Sequence, residues 1–335
     1  LVGGIFGSAR GATGLVVQSV GGGIAFNPAA SAPLGQRIAG LSTAVSSSSG
    51  DGGDITIHHA GDIILDGDDA TGLVAHSAGV NGGAIAIATS GDAVMRGNDA
   101  TGYRASSLGD ALGGAITIDT AGDFVLTGED SVAIIAESRG DQGGSDISID
   151  LTGAIRGGSG QGSAFWLVGG ADNLVRSTGS LSAVSGIIGM GTFGNDRIEN
   201  TGFAAGNLFL GSGQNSVLNA AGATWLAFDT LDLREGAGSS GTFTNEGELL
   251  MGLSASPFPI DLAAGETFPD YVSADPALDL LHGSSVISEL ALDGDFIQAA
   301  SGTMVFDVGF GPYGSDQIIA SGDARVAGEL VYTLT

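Results

Sequence analysis

A chain of 335 residues with 61 glycines, no cysteine and a formal charge of −27 excludes several protein classes at once. The glycines follow no Gly-X-Y period, which excludes collagen; a 43% apolar content argues against disorder, and the lack of Cys removes disulfides and thiolate metal sites. Against 37 acids stand 10 basic residues, all Arg, so no basic patch is available for nucleic acid, and an anionic membrane surface would repel the chain.

Taken in order, residues 1–50 hold irregular copies of a repeat, with a loop at 27–35 carrying Pro28 and Pro33. The chain opens inside the pattern, at Gly11-Ala12-Thr13-Gly14-Leu15-Val16-Val17, and is therefore expected to be a fragment or a processed product. No apolar run reaches the roughly 18 residues of a membrane-spanning helix.

One phrase is written five times. Gly21-Gly22-Gly23-Ile24-Ala25-Phe26 returns as Gly52-Gly53-Asp54-Ile55-Thr56-Ile57 and as Gly82-Gly83-Ala84-Ile85-Ala86-Ile87. Its later copies are Gly113-Gly114-Ala115-Ile116-Thr117-Ile118 and Gly143-Gly144-Ser145-Asp146-Ile147-Ser148-Ile149. The first Ile of each copy follows the one before by 31, 30, 31 and 31 residues. Such a period marks a stacked-repeat architecture, and β-branched residues at alternate positions give strand spacing.

Two further runs repeat with it. Gly61-Asp62-Ile63-Ile64-Leu65 returns at Gly91-Asp92 and Gly122-Asp123, and Ala70-Thr71-Gly72-Leu73-Val74-Ala75-His76-Ser77 returns at 100–107 and 131–138. One period thus holds three short strands separated by turns. If each strand pairs with its own copy, the chain winds as an all-β, right-handed parallel β-helix, a three-faced solenoid, with coils about 4.8 Å apart. Ile55, Ile85, Ile116 and Ile147 then form one inward column, and Ile57, Ile87, Ile118 and Ile149 another. About a dozen coils, roughly 60 Å in all, are expected.

The predicted domains are 1–170, coils of about 31 residues; 171–250, shorter coils; 251–285, an excursion or lid with Pro257, Pro259, Pro269 and Pro276; and 286–335, a C-terminal cap. At the end of the first, Phe165 and Trp166 occupy the third-strand slot and read as core and seam filling. In the second, Ser177, Asn200, Asn219 and Asn245 stand 23, 19 and 26 residues apart. Each Asn is able to take a left-handed turn or to hydrogen-bond its copy one coil on.

The last segment carries Gly294-Asp295-Phe296-Ile297-Gln298, Gly302-Thr303-Met304-Val305-Phe306-Asp307-Val308, Ser315-Asp316-Gln317-Ile318 and Ser321-Gly322-Asp323-Ala324-Arg325-Val326-Ala327-Gly328-Glu329-Leu330. In this order they resemble the end of a pertactin-like passenger domain of a type V autotransporter. The resemblance is specific over about 290–330, and the Asn-rich phrases of 171–250 are similar to such passengers too. It implies an autochaperone-like cap, export through the bacterial outer membrane, and an outer-membrane barrel in the precursor.

The chemistry is sparse. His58 and His59 are adjacent, so on a strand they face opposite ways; with His76 and His282 they read as turn or surface histidines. No nucleophile elbow leads from strand to helix. Asp68-Asp69, Asn98-Asp99 and Glu129-Asp130 fall in register, as do Asp62, Asp92 and Asp123. Like charges one coil apart repel unless screened or bridged, so Asp68, Asp69, Asp99, Glu129 and Asp130 are candidates for weak Ca²⁺ binding, against the simpler reading of hydrated turn residues. No other cofactor is expected.

The expected function is a non-catalytic, surface-exposed or secreted passenger acting as an adhesin or self-associating structural protein. Its partners would be further copies or a ligand on a host or neighbouring cell. The alternatives are a glycan-active β-helix enzyme, such as a polysaccharide lyase or hydrolase using the acidic columns, and the repeating subunit of an extracellular fibre.

Overall fold

The computed structural model describes residues 2–21, 50–251, 288–308 and 314–334. They form a parallel β-helix, and among them there is no helix. One face is a sheet of ten strands, running from Ile55–Ala60 at one edge to Ala324–Val326 at the other. Every neighbouring pair in it is parallel. The other two faces are joined in a 19-stranded sheet. The junction arises because two long strands, Phe203–Phe209 and Thr224–Asp232, turn the corner and serve both faces.

The expected register holds. Ile55 pairs with Ile85, Ile85 with Ile116, and Ile116 with Ile147. The neighbouring column runs Ile57, Ile87, Ile118, Ile149, Val175, Ile198, Val217, Phe243 and Phe296, all buried. Burial alternates along these strands, as in Ile55–Ala60 and Ile116–Thr120, because successive side chains point to opposite faces of the sheet. Towards the C-terminal half aromatic rings thicken the core, with Trp225 edge-on to Phe243 at 5.4 Å and Phe243 stacked on Phe296 at 6.2 Å.

Ile5–Gly7 pairs directly with Ile63–Leu65, and Thr13–Val20 directly with Thr71–Asn81. No described strand lies between them; residues 22–49, which hold nearly all of the first copy of the phrase, lie outside the described residues. Among the described residues the continuous face has ten strands, against about a dozen coils expected for the chain, and runs about 45 Å at strand spacing. Of the proline-rich 251–285, all but Met251 lies outside the described residues, and the strands Glu248–Met251 and Glu289–Asp293 both stack on the preceding long strand Thr224–Asp232. The strands of 289–308 and 317–334 continue the stack in register, and Phe165 and Trp166 divide as inward core and outward seam, Phe165 fully buried and Trp166 packed on Val132 and Ile135.

Candidate functional site

The acidic columns lie at the corners, where the strand ladder stops and backbone N–H groups lack a partner. Asp62 accepts the amide of Asp92 at 3.0 Å, Asp92 that of Asp123 at 3.1 Å, and Asp123 that of Ala154 at 2.7 Å. Asp68 likewise accepts the amide of Asn98, and Asn98 that of Glu129, both at 2.9 Å. Each carboxylate or amide oxygen therefore ties its corner to the next coil.

The companion column has an unusual backbone. Asp69, Asp99 and Asp130 have φ of 57°, 56° and 55°, and the flanking coils place Gly11 and Gly160 there at 68° and 63°. A left-handed turn thus recurs at one corner, filled by the residues that tolerate it best. Asp69 also accepts a hydrogen bond from Arg10 at 2.8 Å, and Asp130 one from the amide of Gln161 at 2.7 Å. The five Ca²⁺ candidates are in register, as expected. Among the described residues no three His, Cys, Asp or Glu side chains converge as a metal site would require.

The asparagines form a buried ladder. Asn200 Nδ2 donates to Asn219 Oδ1 at 2.8 Å, Asn219 to Asn245 at 2.7 Å, and Asn245 to Oε1 of Gln298 at 2.8 Å. Each second N–H reaches the next face's backbone, at Thr224, Glu248 and Thr303 respectively. Of the two roles open to these residues they take the cross-coil one, and none has a positive φ.

Sequence reasoning missed a second set of corner bonds. Ser77, Ser107 and Ser138 are fully buried, and their hydroxyls donate to the carbonyls of Gly53, Gly83 and Gly114. They also accept from the amides of Gly83, Gly114 and Ser145. This accounts for the repeated Gly-Gly phrase: a Cβ on Gly82 would lie 2.3 Å from the Ser107 hydroxyl.

The histidines correct the reading above. His58 is exposed, but His59 and His76 are only 3% and 0% exposed; His282 lies outside the described residues. His76 stands on the outward side of its strand, in register with Ser106 and Glu137. One column over, Val74 pairs with Arg104 and Arg104 with Ile135. All of these outward side chains are buried. Arg139 pairs with Glu137, and Ser106 donates to it at 3.3 Å. Burial pushes the Glu137 carboxyl above the usual range, against the pull of Arg139 and Arg104. Burial, with Arg104 nearby, pushes His76 down to about 4, so it is neutral at pH 7. Alternation showed which residues share this side of the strand, but not that the outward side is closed to solvent.

The ten-stranded face is open outward. One outward column, exposed or half-exposed throughout, runs in register through Thr56, Ala86, Thr117, Ser148, Leu174, Arg197, Ser216, Thr242 and Asp295. This is a mostly polar surface, small at the Thr and Ser positions and charged at Asp119, Asp150, Arg176, Arg197 and Glu199, suited to contact with another surface. Fold and surface together define the class, a parallel β-helix with one broad polar face. Comparison with protein-family models, with curated proteins and with solved structures finds no match to this chain.

Proposed function

We propose that this β-helix is the passenger portion of an exported bacterial surface protein and works without catalysis, as an adhesin. The observation that carries the proposal is the ten-stranded face with its registered Thr, Ser and Ala positions. Two further points support it. The acids of the Asp62 and Asp68 columns, which would have served glycan hydrolysis, are engaged in joining coils. The C-terminal phrases that resemble autotransporter passengers hold the last coils together: Gln298 ends the Asn ladder, and Asp295 accepts the amide of Asp323 at 2.8 Å.

The test is binding of fluorescently labelled chain to bacterial and epithelial cells. Thr117→Arg with Ser148→Arg on the outward face should abolish binding and leave the melting temperature within a degree or so. Binding unchanged by these substitutions would contradict the assignment of the face.

A second reading, self-stacking into a fibre, draws on the strands Ala324–Val326 and Glu329–Leu334, each paired on one side among the described residues, with Val326 (56% exposed), Leu330 (39%) and Tyr332 (59%) open beside them. Concentration-dependent filaments in sedimentation, abolished by Leu330→Asp, would favour it; a monomer at all concentrations would remove it.

A further inference from the structure

A second polar column runs inside the solenoid. Where the early coils place Ile116 and Ile147, two residues before the continuous apolar column, the later coils place Asn173, Asp196 and Asn215. All three are 3% exposed or less. The two asparagines do the same work. Asn173 Nδ2 donates to the carbonyl of Gly169 and Asn215 Nδ2 to that of Gly211, each four residues back and each at 2.9 Å. Asn215 also reaches the Leu233 carbonyl at 2.9 Å in the next coil. Each amide therefore fastens the start of its strand to the loop before it.

Asp196 sits between them and lacks the N–H. Its Oδ1 accepts from Asn173 at 2.8 Å, and its backbone amide donates to Asn215 Oδ1 at 2.8 Å. Its Oδ2 is buried with no partner, and lies so close over Gly191 that a Cβ there would meet it at 2.1 Å. By analogy with its neighbours, the carbonyl that Oδ2 should serve is that of Thr192, four residues back, whose oxygen accepts the Ser212 amide at 3.3 Å and has a second lone pair. An ionised carboxylate has nothing to donate to it; a protonated one does.

The charged groups around it do not supply a counter-ion. On its own strand Arg197 pairs with Glu199, and on the preceding strand Arg176 pairs with Asp150 and Glu199, with Asp172 at that strand's start. The following strand, Gln214–Asn219, and the loop 191–194 carry no charge. Beyond them, beside Leu233, stand Asp232 and Arg234, and Arg234 pairs with Asp293.

We propose that Asp196 is a proton-dependent rung of this ladder: protonated, its carboxyl donates where the neighbouring asparagines donate, and ionised, it leaves this junction between coils under-bonded. Burial raises the Asp196 carboxyl from its usual range to about 6, with the Asn173 bond opposing. The folded chain therefore binds more protons here than the unfolded chain between about pH 4 and about pH 6. Stability falls as pH rises through that window and stays lower above it.

The experiment compares thermal and urea unfolding of the wild-type chain and Asp196→Asn from pH 4.5 to 8, taking the difference so that other carboxylates cancel. Asp196→Asn should be the more stable at pH 7.5, with an unfolding constant lower by up to roughly a hundredfold, and the gap should close towards pH 4.5. A variant equally or less stable at pH 7.5, or a gap independent of pH, would overturn the proposal. Should the variant not fold, carboxyl carbon NMR of the wild-type chain decides: a midpoint for Asp196 near 6 supports the rung, and one below 4.5 refutes it.

Discussion

Asn219 donates its Nδ2–H to Oδ1 of Asn245, one coil on, at 2.7 Å, and both residues are fully buried. The bond is one rung of a chain that continues at both ends, and each asparagine also satisfies a carbonyl of the adjoining face. A polar group in this position is stabilising only while every partner is present.

Replacing Asn219 by Leu removes the acceptor for Asn200 and the donors for Asn245 and the Glu248 carbonyl. Groups left buried and unpaired cost about 1–3 kcal/mol each. Urea denaturation of Asn219→Leu should show a loss of at least about 2 kcal/mol; Thr244→Ala, at a half-buried site on the other face of the neighbouring strand, should stay within about 0.5 kcal/mol.

Asp99 holds a φ of 56° between two coils that do the same. Glycine adopts that conformation without a Cβ penalty, whereas a β-branched side chain does not. Asp99→Gly should therefore leave the chain folded with a small change in stability, and Asp99→Val should cost about 1–3 kcal/mol, read as a shift in the urea midpoint.

His76 gives a pH dependence of the opposite sign to that of Asp196. Its folded pKa, pushed down to about 4 by burial and by Arg104, lies below the unfolded value, so the unfolded chain binds the extra proton. Stability from this group is complete above about pH 6.5 and is lost as pH falls towards 4. Ring NMR signals of His76 should show no titration between pH 5 and 7.5. The difference in stability between the wild-type chain and His76→Gln should shrink on acidification through that window.

The solenoid was legible in the sequence because identical environments one coil apart select similar residues, so Ile55, Ile85 and Ile116 mark one column before any coordinates. The Asn ladder was legible for the same reason. A period does not reveal which copies become neighbours: Ile5 and Ile63 are almost two periods apart in the sequence and pair directly. Nor does it reveal how a side is covered: His76 reads as a turn or surface residue and is buried, together with Arg104 and Glu137 on the same side of its sheet. The bonds of Ser77 and Ser107 join different faces, and no pattern along a single strand records them.

The direct stacking of coils on the ten-stranded face is the claim on which the rest depends, and the absence of native cysteine allows a clean test. Thr56 pairs with Ala86 in register on the outward side, while Ser216 stands in the same column six strands from Thr56, roughly 29 Å away at strand spacing. Pyrene attached to Thr56→Cys with Ala86→Cys should give strong excimer fluorescence, and pyrene on Thr56→Cys with Ser216→Cys should give none. Monomer emission alone from the first pair, or excimer from both within a single chain, would contradict the parallel β-helix.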